Sequence, residues 1–239
     1  MNSRIKERLN MKTQPVAVLK ANGAPEGAMG FKAGTMGACM IGMLEAVSKG
    51  RTAAFTPETC GCGGGMAGLG FAPMNRARIV PFLSTGTAEM PGEFYKASPA
   101  LVETFVDSMP SVSPAPCLLL KPLDRVTEDE VPVSVIFLVN ADQLSGLITL
   151  ANYDAPAGDN VTVRFGSGCA QSILYAMADS EAEAKRCTIG LTDPSGRLHL
   201  SPDLLSFSIP WKRFLEMEAN AEGSFLTKET WTRLRERIQ

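Results

Sequence analysis

The chain has 239 residues, 45% apolar and 20% charged, with 23 basic against 25 acidic side chains and a formal net charge of -2. That length buries a substantial core without a disulfide framework, and the charge balance lacks the basic excess that a phosphate backbone demands, which argues against nucleic acid as a partner. No apolar run approaches the ~20 residues of a membrane helix, and the opening MNSRIKERLN mixes charged with apolar residues, unlike a signal peptide. The expectation is a cytoplasmic protein without a membrane partner, whose six cysteines are free thiols or metal ligands.

Residues 4–11 carry Ile5, Leu9 and Met11 among charges, a short helix with one apolar stripe. Residues 15–19 read as a strand entered at Pro15, and 21–34 as a glycine-rich loop. From 35 to 49, Met36, Cys39, Met40, Met43, Leu44 and Val47 recur at three and four residues, predicting a helix capped by Thr35 and stopped by Gly50. Cys39 then falls one turn from the helix start, where the dipole favours a thiolate; its place in the stripe fits a core residue equally well.

After a short strand at 52–55 comes Cys60-Gly61-Cys62-Gly63-Gly64-Gly65. Each glycine costs a helix about 1 kcal/mol relative to alanine, so this run predicts a loop. Its free N–H groups, those of Gly63, Gly64 and Gly65 in particular, suit close approach to an anion, a cluster sulfide or a thiolate. The Lys-Ser/Thr ending of a P-loop is absent, and 66–71 should start a short helix stopped by Gly70 or Pro73.

Residues 76–83 and 99–109 read as helices, the second with Ser98 as cap ahead of Pro99; the connection between them, 85–92, is flexible enough to cover a site. The proline- and serine-rich stretch 110–116 marks an internal seam in what is otherwise one domain, 1–239. Residues 117–120 and 133–139 are apolar runs typical of central strands, with Cys117 a core residue. A helix at 141–153 and a strand at 160–165 follow. Gly166-Ser167-Gly168-Cys169 then turns into a helix with the thiol at its N-terminus, beside the freed N–H of Gly168. Cys187 opens a short strand, His199 alternates like a strand residue, 204–209 is a last strand, and helices begin at 210 and 228. The element mixture predicts an α+β (mixed α/β) domain, a mostly buried central sheet flanked by helices.

With these motifs in view, the chain resembles the domain of unknown function 169 family, a group of uncharacterised prokaryotic proteins. The resemblance runs from about Pro15 to Phe214. It rests on P-V-A-V at Pro15, the Cys39 helix, the cysteine-glycine loop followed by Leu69-Gly70-Phe71, the Gly168-Cys169 turn, the Cys187 strand and Phe207-Ser208-Ile209-Pro210. It implies site cysteines at Cys39, Cys62, Cys169 and Cys187. The family's loop is cysteine, proline and two glycines; here Gly63 replaces the proline and an additional Cys60 precedes it, leaving either thiol of the pair as the inward one.

Four converging thiolates suit an iron-sulfur cluster serving redox or electron transfer, or a tetrahedral zinc as the alternative. The absence of paired C-x2-C knuckles favours the cluster. A second reading is a metal-free thiol enzyme with Cys62 as nucleophile, its base drawn from Glu58, a lysine or another thiolate. A third is a small-ligand domain with Met36, Met40, Met43 and Met66 lining an apolar pocket.

Overall fold

The computed structural model of the chain describes residues 1–238. Seven strands form one open sheet: β1 (Val16–Ala21), β2 (Ala53–Phe55), β3 (Cys117–Pro122), β4 (Ser134–Val139), β5 (Val161–Val163), β6 (Cys187–Gly190) and β7 (Leu205–Pro210). Their spatial order is β2-β3-β1-β4-β7-β6-β5. Neighbours run antiparallel, with Val18 opposite Leu120 and Ser134, and Phe137 opposite Phe207; β5 and β6 alone pair in parallel.

Successive side chains along a strand point to opposite faces, and here both faces are buried. Ala17, Leu19, Val135, Phe137 and Val139 enter one core; Val16, Val18, Ile136 and Leu138 enter the other. That two-sided burial is why β3 and β4 read as unbroken apolar runs. The helices are α1 (Arg4–Arg8), α2 (Ile41–Ser48), α3 (Gly63–Gly68), α4 (Arg76–Leu83), α5 (Pro99–Asp107), α6 (Ala141–Ala151), α7 (Tyr175–Glu181), α8 (Pro194–Arg197), α9 (Trp211–Asn220) and α10 (Glu229–Arg235). Ile5 of α1, Leu147 of α6, Phe214 of α9 and Trp231 of α10 cover the first face. Leu44 of α2, Leu69 at the end of α3, Ile173 and Met177 cover the second. The mixed α/β fold and its buried sheet match the sequence expectation. Among the described residues no helix is long and apolar enough to cross a membrane.

Three local expectations are corrected. The helix predicted from 35 to 49 starts at Ile41, because Gly37 takes φ +85° and Ala38 donates to the Gly61 carbonyl at 3.3 Å, so 35–40 is spent reaching the glycine loop. The glycine run is helical from Gly63, with Cys62 as its N-cap. His199 lies in an exposed turn after α8, not in a strand.

Candidate thiol site

Three helix starts meet on the second face of the sheet, and each brings a cysteine. Cys39 leads into α2, where the backbone N–H groups of Ile41 and Gly42 at the helix start favour its thiolate. Cys62 caps α3, its sulfur accepting the Gly65 N–H at 3.0 Å. Cys169 opens the turn before α7; its sulfur lies 3.3 Å from the Ser167 hydroxyl and donates to the Gly64 carbonyl at 3.5 Å. The fourth thiol, Cys60, donates to the Cys62 carbonyl at 3.6 Å.

The glycines explain how these elements come so close. A Cβ on Gly65 would stand 2.8 Å from the Cys60 sulfur and 3.1 Å from that of Cys62. One on Gly68 would collide with the Cys169 sulfur, and one on Gly168 would press on Leu191 and Ile41 at 3.2 and 3.3 Å. Contact across the fold thus outweighs the helix cost of glycine in α3. Gly63 and Gly64 differ, since a Cβ at either faces open space.

Burial sets the protonation of this group. It pushes Cys169 up to about 12, with the neighbouring thiols of Cys62, Cys39 and Cys60 adding to the rise against the Ser167 hydrogen bond. Cys60 is pushed up to about 11 by burial. The Cys39 thiol is also raised by burial, opposed by its two backbone N–H donors. These three are neutral thiols near pH 7 unless a cation takes the place of the proton. Cys39 and Cys62 are half-buried, whereas Cys60 and Cys169 are buried.

Cys187 does not join them. It sits on the opposite face of the sheet, fully buried in the first core, its sulfur 4.0 Å from that of Met217. Strand alternation decides this: Thr188 and Gly190, not Cys187, face the Cys169 segment, and a Cβ on Gly190 would stand 2.8 Å from the Gln171 Cβ. Cys117 lies in the same first core, as its place at the head of an apolar run predicts. Among the described residues no three His, Cys, Asp or Glu side chains stand ready to share one metal ion, so the four thiols are gathered but not drawn in to a common point.

Two features escaped the sequence. Asp193 accepts the Gly168 N–H at 3.0 Å on one oxygen, and the Ser195 N–H and hydroxyl at 3.1 and 2.8 Å on the other, fixing the Cys169 turn against α8. Its charge also reaches Cys39 and Tyr95. The sequence Asp193-Pro194-Ser195 signals a helix cap and nothing more. The second feature is the π-helical turn Ala170–Leu174 directly after Cys169, a distortion common at functional sites. It is held by Ser208 donating to the Ser172 carbonyl at 2.8 Å and by Gln171, which donates to Thr192 at 2.7 Å and to the Arg164 carbonyl at 2.9 Å.

The remaining candidates do not take the arrangement expected of them. Glu58 is exposed, and its carboxylate is tied to Thr56, which holds it below the usual range. The methionines do not line one pocket: Met40 is core, Met43 and Met66 pack on it, and Met36 is exposed.

An open, largely antiparallel sheet with a thiol group at the helix starts of one face defines a mixed α/β protein with a cysteine site. The model of the domain of unknown function 169 family, described as uncharacterised ArCR, matches residues 4–220, and the chain belongs to that family. No curated protein matches the chain. No solved structure matches it either.

Proposed function

We propose that the gathered thiols hold an iron-sulfur cluster, or failing that another soft metal such as zinc, through Cys39, Cys62 and Cys169, with Cys60 as the fourth sulfur. The observation that supports this reading is the gathering, on one face of the sheet, of cysteines from three separate helix starts, with the Gly65 N–H already turned to the Cys62 sulfur and the N–H groups of Ile41 and Gly42 favouring a thiolate at Cys39. Such donors offset the charge of thiolates, and an all-sulfur set suits iron-sulfur or zinc. Loading requires the sulfurs to turn inward. When bound, a cluster supplies one-electron chemistry, and the chain's residues hold it, set its hydrogen bonds and shield it from water. Cys187 is outside this set. Purification without oxygen, followed by iron and acid-labile sulfide analysis, tests the proposal. Brown protein containing both supports it; a chain that takes up neither iron with sulfide nor zinc overturns it.

A second reading, metal-free thiol chemistry at Cys62, is favoured by one observation: this sulfur is both half-buried and directly hydrogen-bonded by a backbone N–H, at 3.0 Å. Rapid, selective alkylation of Cys62 in metal-free protein is its expected mark.

A further inference from the structure

Cys60 and Cys62 are more intimately placed than two members of a loose thiol group. Both sulfurs rest on Gly65: the space a Cβ would take there is 2.8 Å from one and 3.1 Å from the other. Their separation therefore cannot exceed the sum of those distances, 5.9 Å. The two differ in access, since Cys62 is half-buried and Cys60 buried at 2% exposure. Cys169, the other buried thiol, sits by Gly68 and the Gly64 carbonyl, on a different part of α3.

We infer that Cys60 and Cys62 form a dithiol redox pair that reduces small-molecule disulfides, Cys62 attacking first and Cys60 resolving. This rests on the second reading, Cys62 as a reactive thiol, and concerns the metal-free protein, because a sulfur bound to metal is not free to attack a disulfide. The Cys62 sulfur, having given up its proton, attacks one sulfur of the disulfide; a Cys62 mixed disulfide forms, and the first thiolate leaves and takes up that proton. Cys60 then attacks the Cys62 sulfur, the mixed disulfide breaks, and the second thiolate leaves with the proton of Cys60. The substrate gains two electrons and becomes two thiols, while the protein dithiol becomes the Cys60–Cys62 disulfide. The order follows from access: a disulfide in solution reaches Cys62, whereas Cys60 needs only to reach its neighbour. A side chain at position 65 would press on both sulfurs, so Gly65 leaves the pair room to close.

The test treats the full chain, reduced and freed of reductant without oxygen, with 2-hydroxyethyl disulfide, and follows intact mass, released thiol and the disulfide map; metal content of the same sample is measured separately. Wild type should lose two hydrogens, release two equivalents of thiol and map to Cys60–Cys62. Cys60→Ser should stop at a stable adduct on Cys62. Gly65→Ala should slow ring closure on the order of tenfold, because small misplacements of reacting atoms cost rate steeply. A wild-type adduct on Cys62 that never resolves, or resolves onto Cys169 or Cys39, overturns the inference while leaving Cys62 a reactive thiol. No adduct on Cys62 overturns both. The wild-type result decides even if a variant misfolds.

Discussion

The two faces of the sheet each bury cysteines, and the difference between them separates thiols that fill space from thiols that form a site. On the first face Cys117 and Cys187 stand among Leu119, Phe207, Met217 and Ile209, and burial pushes Cys187 up to about 12. On the second face Cys169 is pushed equally high, so burial and acidity do not distinguish the two. Surroundings do. The Cys187 sulfur has a methionine sulfur as its hydrogen-bond partner, whereas Cys169 finds a hydroxyl, a backbone carbonyl and neighbouring thiols, on a π-helical turn held by buried hydrogen bonds.

The sharpest way to break this comparison is to crowd the second face. Gly68→Val should destabilise the fold by about 3 kcal/mol, as overpacking does, because its side chain must displace the Cys169 sulfur and the Ala170 backbone. Urea denaturation measures this, and a loss under about 1 kcal/mol would mean that α3 and the Cys169 turn are loosely joined.

On the first face, Cys187→Ala should cost about 1 to 2 kcal/mol through lost packing and leave metal loading at the wild-type level; Cys117→Ala should behave alike. Thermal melts beside metal analysis check both, and metal loss from either variant would erase the distinction between the faces.

Acid probes the same face by another route. The Arg213 guanidinium holds the Asp154 carboxyl down at about 2, and the same guanidinium acts on Cys187. A depressed carboxylate contributes stability that is present above its ordinary value near 3.8 and lost as pH falls towards 2. Melting temperature should therefore drop across that window, and Asp154→Asn should flatten the drop. An unchanged pH profile in the variant would remove this pair from the account.

The smallest effect on stability belongs to the open glycine. A Cβ on Gly64 meets nothing, so Gly64→Ala should raise stability by about 0.5 to 1 kcal/mol through helix propensity alone. If Gly64 is glycine because its backbone approaches a bound group, the same variant should load less metal. Stability gained with loading unchanged would assign the glycine no role at the site.

Much of the scaffold was legible in the sequence because its signals are local. Ser98 ahead of Pro99 caps α5 as expected, with the Leu101 N–H donating to the Ser98 hydroxyl at 3.4 Å, and the runs at Cys117 and Ser134 are the central strands they resemble. The errors arise where distant contacts override local preference. Four glycines between 61 and 65 argue against a helix, yet α3 runs from Gly63, with the sulfurs of Cys60 and Cys62 in the place a side chain at Gly65 would fill and that of Cys169 in the place of one at Gly68. Cys187 shares a residue type with the site, yet its strand register, set by pairing with β7, turns it to the far face. Asp193 and the π-helical turn carry no local mark of a site, since the first reads as a cap and the second depends on Ser208 from a distant strand.

The measurement that tests the central claim most directly is iron and acid-labile sulfide content of Cys169→Ser and Cys187→Ser, each loaded under identical conditions without oxygen beside wild type. The account predicts that Cys187→Ser retains the wild-type content and Cys169→Ser loses it, with both variants folded by circular dichroism. Equal loss from both, or loss from Cys187→Ser alone, would contradict the assignment of the site to one face of the sheet.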